Sequence, residues 1–254
     1  GKLFEAFGPI FRSKNIIKSN IEKAIPKINS LKVKIITKNM WNNYGRTLSE
    51  YMFLKGFRNN KFKSNINIVG KEILEKIKLE NTPVIFISGH FSNFELMAME
   101  IEKSGVNLSA IYRPLNNVFL NLIMEKIRKK YICKNQIKKG TGGVRELLKL
   151  YKKGYSIALM IDQRVSEGIK SKFFSADAFT TTIPAQFVKK FNCKVVPIYI
   201  ERHHGINFNI NIETPIEFTK NCSTEKITRD LNIWLEKMIL KNPGEWIWSH
   251  NRWK

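Results

Sequence analysis

The sequence predicts an α/β fold: a single αβα domain with a mostly parallel or mixed central sheet, preceded by an N-terminal helical segment. Three observations carry that expectation. Short apolar runs, such as those at 84–87 and 156–161, lack polar alternation and read as strands buried on both faces. Stretches with apolar residues at helical spacing alternate with them. The chain has 254 residues, 43% of them hydrophobic, enough for a full core. Residues 1–60 are assigned to the helical segment and 61–254 to the α/β part.

Residues 2–17 set Leu3, Phe4, Phe7, Ile10 and Phe11 among Lys and Arg, and Gly8-Pro9 is expected to break or kink a helix there. Such a basic, Phe-rich segment suits either a membrane interface or an arm packed on the core. After a turn at 26–30, Ser30 is placed to cap a long helix over 31–54. Its apolar stripe runs from Val33 through Met40 and Trp41 to Met52. Arg46 and Glu50, four apart, read as a surface pair. Residues 66–69 form a short strand and 71–78 a short helix. A strand at 108–112 delivers Arg113-Pro114 at its end, and 116–131 is helical. From 120 to 153 there are eleven Lys or Arg against Glu125 and Glu146, a candidate face for an anionic partner.

The glycine-rich run KKGTGGVRELLKLYKKG (138–154) opens a helix near Thr141. It lacks the ending of a P-loop, so ATP binding is not expected, although its amides suit a phosphate. The strand at 156–161 ends in Asp162-Gln163-Arg164. Residues 171–192 read as a loop followed by a helix from Thr182, with Phe173, Phe174 and Phe179 suited to an apolar groove or to the core. The strand at 194–201 contains Pro197, which points to a strand end or an edge. His203-His204 have no third ligand at useful spacing, so no metal site is expected. Residues 208–212 supply an antiparallel partner. A helix over 224–241 is stopped by Asn242-Pro243. The tail holds Trp246, Trp248 and Trp253, which fit an interfacial anchor or a segment packed on the core.

A net charge of +23 calls for acidic partners: nucleic acid, an anionic membrane or an acidic protein. The absence of a nucleic-acid-binding motif argues against the first. No Gly-x-Ser-x-Gly elbow occurs, which disfavours a serine hydrolase. Cys133, Cys193 and Cys222 lack metal or redox spacing, as in a reducing compartment. No run approaches the ~18–20 apolar residues of a membrane span.

The stretch PVIFISGHFSNFELMAM (83–99) organises the rest. It reads as strand, turn and helix, with His90 at the hinge and Glu95 five residues on. On one continuous helix these two would point about 140° apart. They meet only if His90 precedes the helix and Glu95 lies in its first turn. That arrangement makes an imidazole base with an orienting carboxylate. The alternative is a capping box, Ser92 to Glu95, with His90 a turn residue. Arg113 falls beside His90 if their two strands are neighbours, and otherwise is a surface arginine.

SGHFSNFEL resembles the His-x4-Glu/Asp motif of the glycerolipid acyltransferase superfamily and, more narrowly, of the lipid A late acyltransferases. IYRPLNN (111–117), IDQRV (161–165), VVPIYIER (195–202) and NMWNNYGRTLSEY (39–51) resemble further blocks of that family, in family order over essentially the whole chain. The resemblance implies transfer of a fatty acyl chain from an acyl carrier protein or coenzyme A thioester to a hydroxyl of a phosphorylated lipid A precursor. No cofactor is implied beyond that co-substrate. It implies His90 and Glu95 as catalytic residues. Gly89, Asn93, Arg113, Asp162 and Gln163 would bind substrate or the oxyanion. The partners are an acyl carrier protein, an anionic membrane lipid and the glycolipid acceptor, at the cytoplasmic face of the bacterial inner membrane. Because Gly1 is not an initiator, an N-terminal anchor is expected to be missing from this chain. Transfer to another lipid acceptor, or thioester hydrolysis, remains open from these residues.

Overall fold

The computed structural model describes residues 1–254, save the side chains of Phe11 and Thr141. Three helices lead the chain: α1 (Lys2–Phe11), α2 (Lys14–Ala24) and α3 (Ser30–Glu50). A 3-10 turn, Tyr51–Phe53, and α4 (Leu54–Arg58) follow. The α/β part then runs β1 (Ile66–Val69), α5 (Lys71–Glu80), β2 (Ile85–Ser88), α6 (Glu95–Lys103), β3 (Leu108–Tyr112) and α7 (Val118–Ile127). It continues through β4 (Asn135–Lys138), α8 (Thr141–Lys152), β5 (Ser156–Met160), β6 (Ile169–Phe173), β7 (Ala176–Thr180) and α9 (Ile183–Phe191). It closes with β8 (Val195–Arg202), β9 (Phe208–Ile212) and α10 (Thr224–Lys241).

Seven strands form one sheet in the order β1-β9-β8-β2-β5-β3-β4. Every neighbouring pair is parallel except β8 and β9. The mostly parallel α/β expectation therefore holds. β3, β4 and β5 lie to one side of β2, and β8, β9 and β1 to the other, so β2 sits where the winding reverses. In an open α/β sheet the crevice beyond the carboxyl ends at such a point receives ligands. All four residues of β2 are buried, as its unbroken apolar run requires. Ile17, Ile21, Met40, Trp41 and Leu54 of the leading segment share one core with these strands.

Several local expectations are corrected. α1 runs through Gly8-Pro9 without ending. A Cβ on Gly8 would come within 2.3 Å of the Trp41 ring, so the glycine permits the close crossing of α1 on α3. Ser30 is not the cap of α3; the Asn29 side chain accepts from Lys32 N. Pro197 lies in a central strand rather than at an edge. It stands one residue before the β8–β9 ladder begins at Ile198, where its missing N–H interrupts no register pair with β9. The stretch read as a loop after 170 holds the antiparallel pair β6–β7. Its period-2 alternation, IKSKF and ADAFT, was the available signal. β4, inside the basic run, also went unread.

Candidate active site

β2 and β5 pair in parallel with Ser88 opposite Met160. Two residues beyond each strand end, His90 and Asp162 therefore stand side by side. His90 Nδ1 lies 2.8 Å from Asp162 Oδ1, and the His90 backbone N–H donates to Oδ2 at 2.8 Å. The indole N–H of Trp246 donates to the same Oδ2 at 2.8 Å. Burial pushes Asp162 toward the neutral form, but the His90 charge and these donors outweigh it and hold the carboxyl at about 2. Burial likewise opposes the imidazolium, yet the Asp162 charge wins and His90 is raised above 6.5. With Nδ1–H given to the carboxylate, the lone pair sits on Nε2. Nε2 makes no hydrogen bond among the described residues, and the ring keeps 18% exposure. The Phe94 ring meets it edge to face at 4.7 Å.

The hydrogen bond to His90 expected of Glu95 is thus made by Asp162. Glu95 does occupy the first position of α6, as the strand–turn–helix argument requires. Its Oε1, however, accepts from Arg128 Nε at 2.9 Å, from Arg128 Nη2 at 2.6 Å and from the Tyr51 hydroxyl. Glu95 and Arg128 remain near enough for their charges to act on His90 in opposite senses. Arg128 opens a π-helical turn, Arg128–Ile132, that continues α7. Its Nη1 makes no hydrogen bond among the described residues. The capping-box alternative does not form either. Ser92 is buried at φ +45 with its hydroxyl unpartnered among the described residues, and no side chain caps α6.

The remaining expected residues divide. Arg113 is exposed at the end of β3, and β5 lies between that strand and β2, so the neighbour condition fails. Arg128 is the arginine brought to His90 instead. Gln163 is half-buried beside Asp162 with no side-chain hydrogen bond among the described residues. A Cβ on Gly89 would press Leu235 and Phe91 at 2.9 Å, which makes this glycine a packing requirement of the loop. Asn93 is buried, and its amide donates to Glu50 Oε2 at 2.8 Å.

Glu50 is no surface partner of Arg46. It is buried, forms an ion pair with Arg202, and so joins α3, the end of β8 and the His90 loop. Arg46 donates instead to Gly205 O at 2.9 Å. Thr47 adds a second grip, its hydroxyl 3.0 Å from Ser92 O.

The tail takes the core option. Trp246 and Trp248 are buried, Trp246 bridges to Phe91, and Ser92 N donates to Glu245 O at 3.1 Å. Asn20 of α2 clamps the carbonyls of Trp248 and His250 at 2.9 and 3.0 Å. His250 Nε2 accepts from Arg164 N at 3.1 Å, and burial pushes its pKa down to about 4, so it stays neutral and holds the loop after Asp162. Phe173 is buried against Trp246 and Trp253, a core role rather than a groove wall. His203 pairs with Asn209, and among the described residues no three His, Cys, Asp or Glu side chains gather to hold a metal.

A histidine held by a carboxylate, with an arginine beside it at the strand ends of an open α/β sheet, is the residue set of a candidate group-transfer site. A profile of the family described as "Bacterial lipid A biosynthesis acyltransferase" matches residues 1–254, and the chain belongs to that family. It is an O-acyltransferase. It is similar to lipid A biosynthesis acyltransferase 2 of Shigella flexneri, 21% identical over 235 residues, covering 90% of this chain and 74% of that protein. The lipid A biosynthesis palmitoleoyltransferase of Escherichia coli K12 is 21% identical over 247 residues, 96% of this chain and 79% of that protein. The lipid A biosynthesis myristoyltransferase of the same strain is 22% identical over 196 residues, 74% of this chain and 58% of that protein.

Proposed function

We propose that this enzyme moves a fatty acyl chain from an acyl carrier protein thioester to a hydroxyl of a lipid A precursor, with His90 as general base. The open Nε2 of a ring held by Asp162 is the observation that carries the reading. As the acceptor oxygen attacks the thioester carbonyl, His90 Nε2 takes its proton. The C–O bond forms and a tetrahedral oxyanion develops. Arg128 Nη1 and the amide of Glu95, the first of α6, are the candidate donors for that charge, since those of Leu96 and Met97 are bonded to Asn93 O and Phe94 O. The amides of Phe91 and Ser92 are already bonded, to Gly89 O and Glu245 O. The intermediate collapses with loss of the thiolate, which receives the proton from His90. The thioester is itself activated, so no enzyme nucleophile is needed. Asp162 stabilises the imidazolium formed on the way, and Glu95 sets the guanidinium of Arg128.

Basic surface favours both an acidic carrier protein and a phosphorylated lipid. α1 adds a membrane contact, since Leu3, Phe7 and Ile10 are exposed while Phe4 packs on Tyr44. The fifth apolar side chain of that segment, Phe11, lies outside the described residues. Among the described residues no helix is long and apolar enough to cross a membrane. The chain is expected to join the cytoplasmic face of the inner membrane.

Incubating the protein with acyl carrier protein thioester and lipid A precursor should give a product heavier by one acyl group in mass spectra. Free fatty acid released at the same rate without any acceptor would overturn the transfer reading in favour of hydrolysis. Coenzyme A thioester as the better donor would remove the carrier protein from it. Arginine substitutions separate the two candidates for the oxyanion. Arg128→Ala is expected to lower kcat on the order of 10²-fold, the scale of one oxyanion donor. Arg113→Ala should stay within a few-fold of wild type, roughly the scale of a screened surface charge. Equal, slight effects in both would take Arg128 out of the site.

A further inference from the structure

α7 turns Asn121, Met124, Glu125 and Ile127 toward the protein, with Ile127 on the core, and leaves its broad apolar face uncovered. None of its ten residues is buried; Val118, Leu120, Leu122 and Ile123 are half-exposed or more, and Phe119 is 82% exposed. An exposed apolar face of this size belongs against another surface or in lipid. α7 is nonetheless well formed. The Asn117 side chain caps it by accepting from Leu120 N, and Asn121 ties Leu115 N to Glu125. Its charges are arranged by position. Glu125, its single acid, is neutralised by Lys138 at 3.3 Å. Lys126, Lys129 and Lys130 are exposed just past the apolar turns, and Lys134 and Lys139 follow.

The geometry points to α7 as the face this enzyme lays into an anionic bilayer, its apolar side chains among the acyl chains and its lysines at the headgroups. A contiguous apolar surface beside a cluster of cations has the chemistry of an interfacial helix. A second copy of this chain is disfavoured as occupant, because a net charge of +23 repels itself. An acidic protein would meet five apolar side chains at the centre of the patch. The placement also serves the site. Arg128 follows α7 directly and holds Glu95 beside His90, so docking α7 sets the crevice against the lipid surface. The inference rests on the reading of the acceptor as a membrane lipid and adds which face meets the membrane.

The test uses the 254-residue protein and vesicles of phosphatidylethanolamine with or without phosphatidylglycerol. Phe119→Trp should shift its added emission to the blue and be quenched by brominated lipid on phosphatidylglycerol vesicles. The double variant Phe119→Ser, Leu122→Ser should partition on the order of tenfold less onto them, the loss of two partly buried side chains. It should keep acyl transfer to detergent-dispersed acceptor. An unchanged Phe119→Trp spectrum, or wild-type partition of the double variant, would overturn the inference. A wild-type dimer that the double variant dissolves would overturn it in favour of a second copy. Absence of transfer by either protein in detergent, with vesicle binding still lost in the double variant, would sink the proposed reaction and leave the docking face standing.

Discussion

Replacing His90 by alanine is expected to abolish acyl transfer while leaving the fold intact. The side chain sits beyond the end of β2, outside the strand ladder, and its ring keeps some exposure. Its removal empties no deep cavity, so the stability loss should be modest. Chemistry, by contrast, loses the basic nitrogen, Nε2, that has no hydrogen-bond partner among the described residues. General-base terms are worth about 10²–10⁴-fold, and Asp162 would face the gap as an uncompensated carboxylate. Turnover of purified His90→Ala with thioester and acceptor is the measurement, alongside its circular dichroism and melting curve. A folded variant within tenfold of wild type would remove the base from the mechanism.

Asp162→Asn carries the second large effect, and its pH signature is specific. His90 is raised above 6.5 because the Asp162 charge outweighs burial. Without that charge burial dominates, and the imidazole pKa falls below 6.5. The base acts when deprotonated, so the acidic limb of kcat/KM should move to lower pH. Its plateau should nonetheless fall on the order of 10²-fold or more, because the ring loses its tautomer and the imidazolium its partner. Glu95→Gln, whose bonds go to Arg128 and Tyr51, should lower kcat with a smaller displacement of that limb. A larger displacement from Glu95→Gln than from Asp162→Asn would make Glu95 the orienting group after all.

Stability follows the same linkage. The depressed Asp162 contributes above its ordinary 3.8 and loses that contribution as pH falls toward about 2. The raised His90 contributes below 6.5 and loses its contribution as pH rises through the raised value. Between 3.8 and 6.5 both are present, so Asp162→Asn should cost the most there, about 2 kcal/mol for a charged hydrogen-bonded pair. Denaturant midpoints at mildly acidic and at alkaline pH would read the difference.

Much of the architecture was legible because its signals are local. Fully apolar runs announced β2 and β5, helical spacing announced α3 and α10, and Asn242-Pro243 marked the end of the last α-helix. Pairing partners were less so. Arg113 looked well placed because the order of strands along the chain makes β3 the successor of β2. The sheet inserts β5 between them, and the crossover that does so leaves no mark at position 113. Arg128 was hidden for a different reason. It lies in a run of cations where every side chain resembles a solvated one, and only the π-helical turn after α7 sets it against Glu95.

By itself the sequence determined the α/β class, the hinge position of His90 and the placing of Glu95 in the first turn of the next helix. These depend on periodicity, turns and neighbours within one or two helical turns. Which carboxylate holds the imidazole was decided only by tertiary structure. Asp162 lies 72 residues from His90, and the parallel register of β2 on β5 brings them level. Burial then makes the choice binding, since Asp162 must find donors and finds them in His90 and in Trp246 from the far end of the chain. The uncovered face of α7 is likewise a tertiary fact. Its sequence reads as an ordinary apolar helix, and only the packed molecule shows that the core takes Ile127 and leaves Val118, Phe119, Leu122 and Ile123 uncovered.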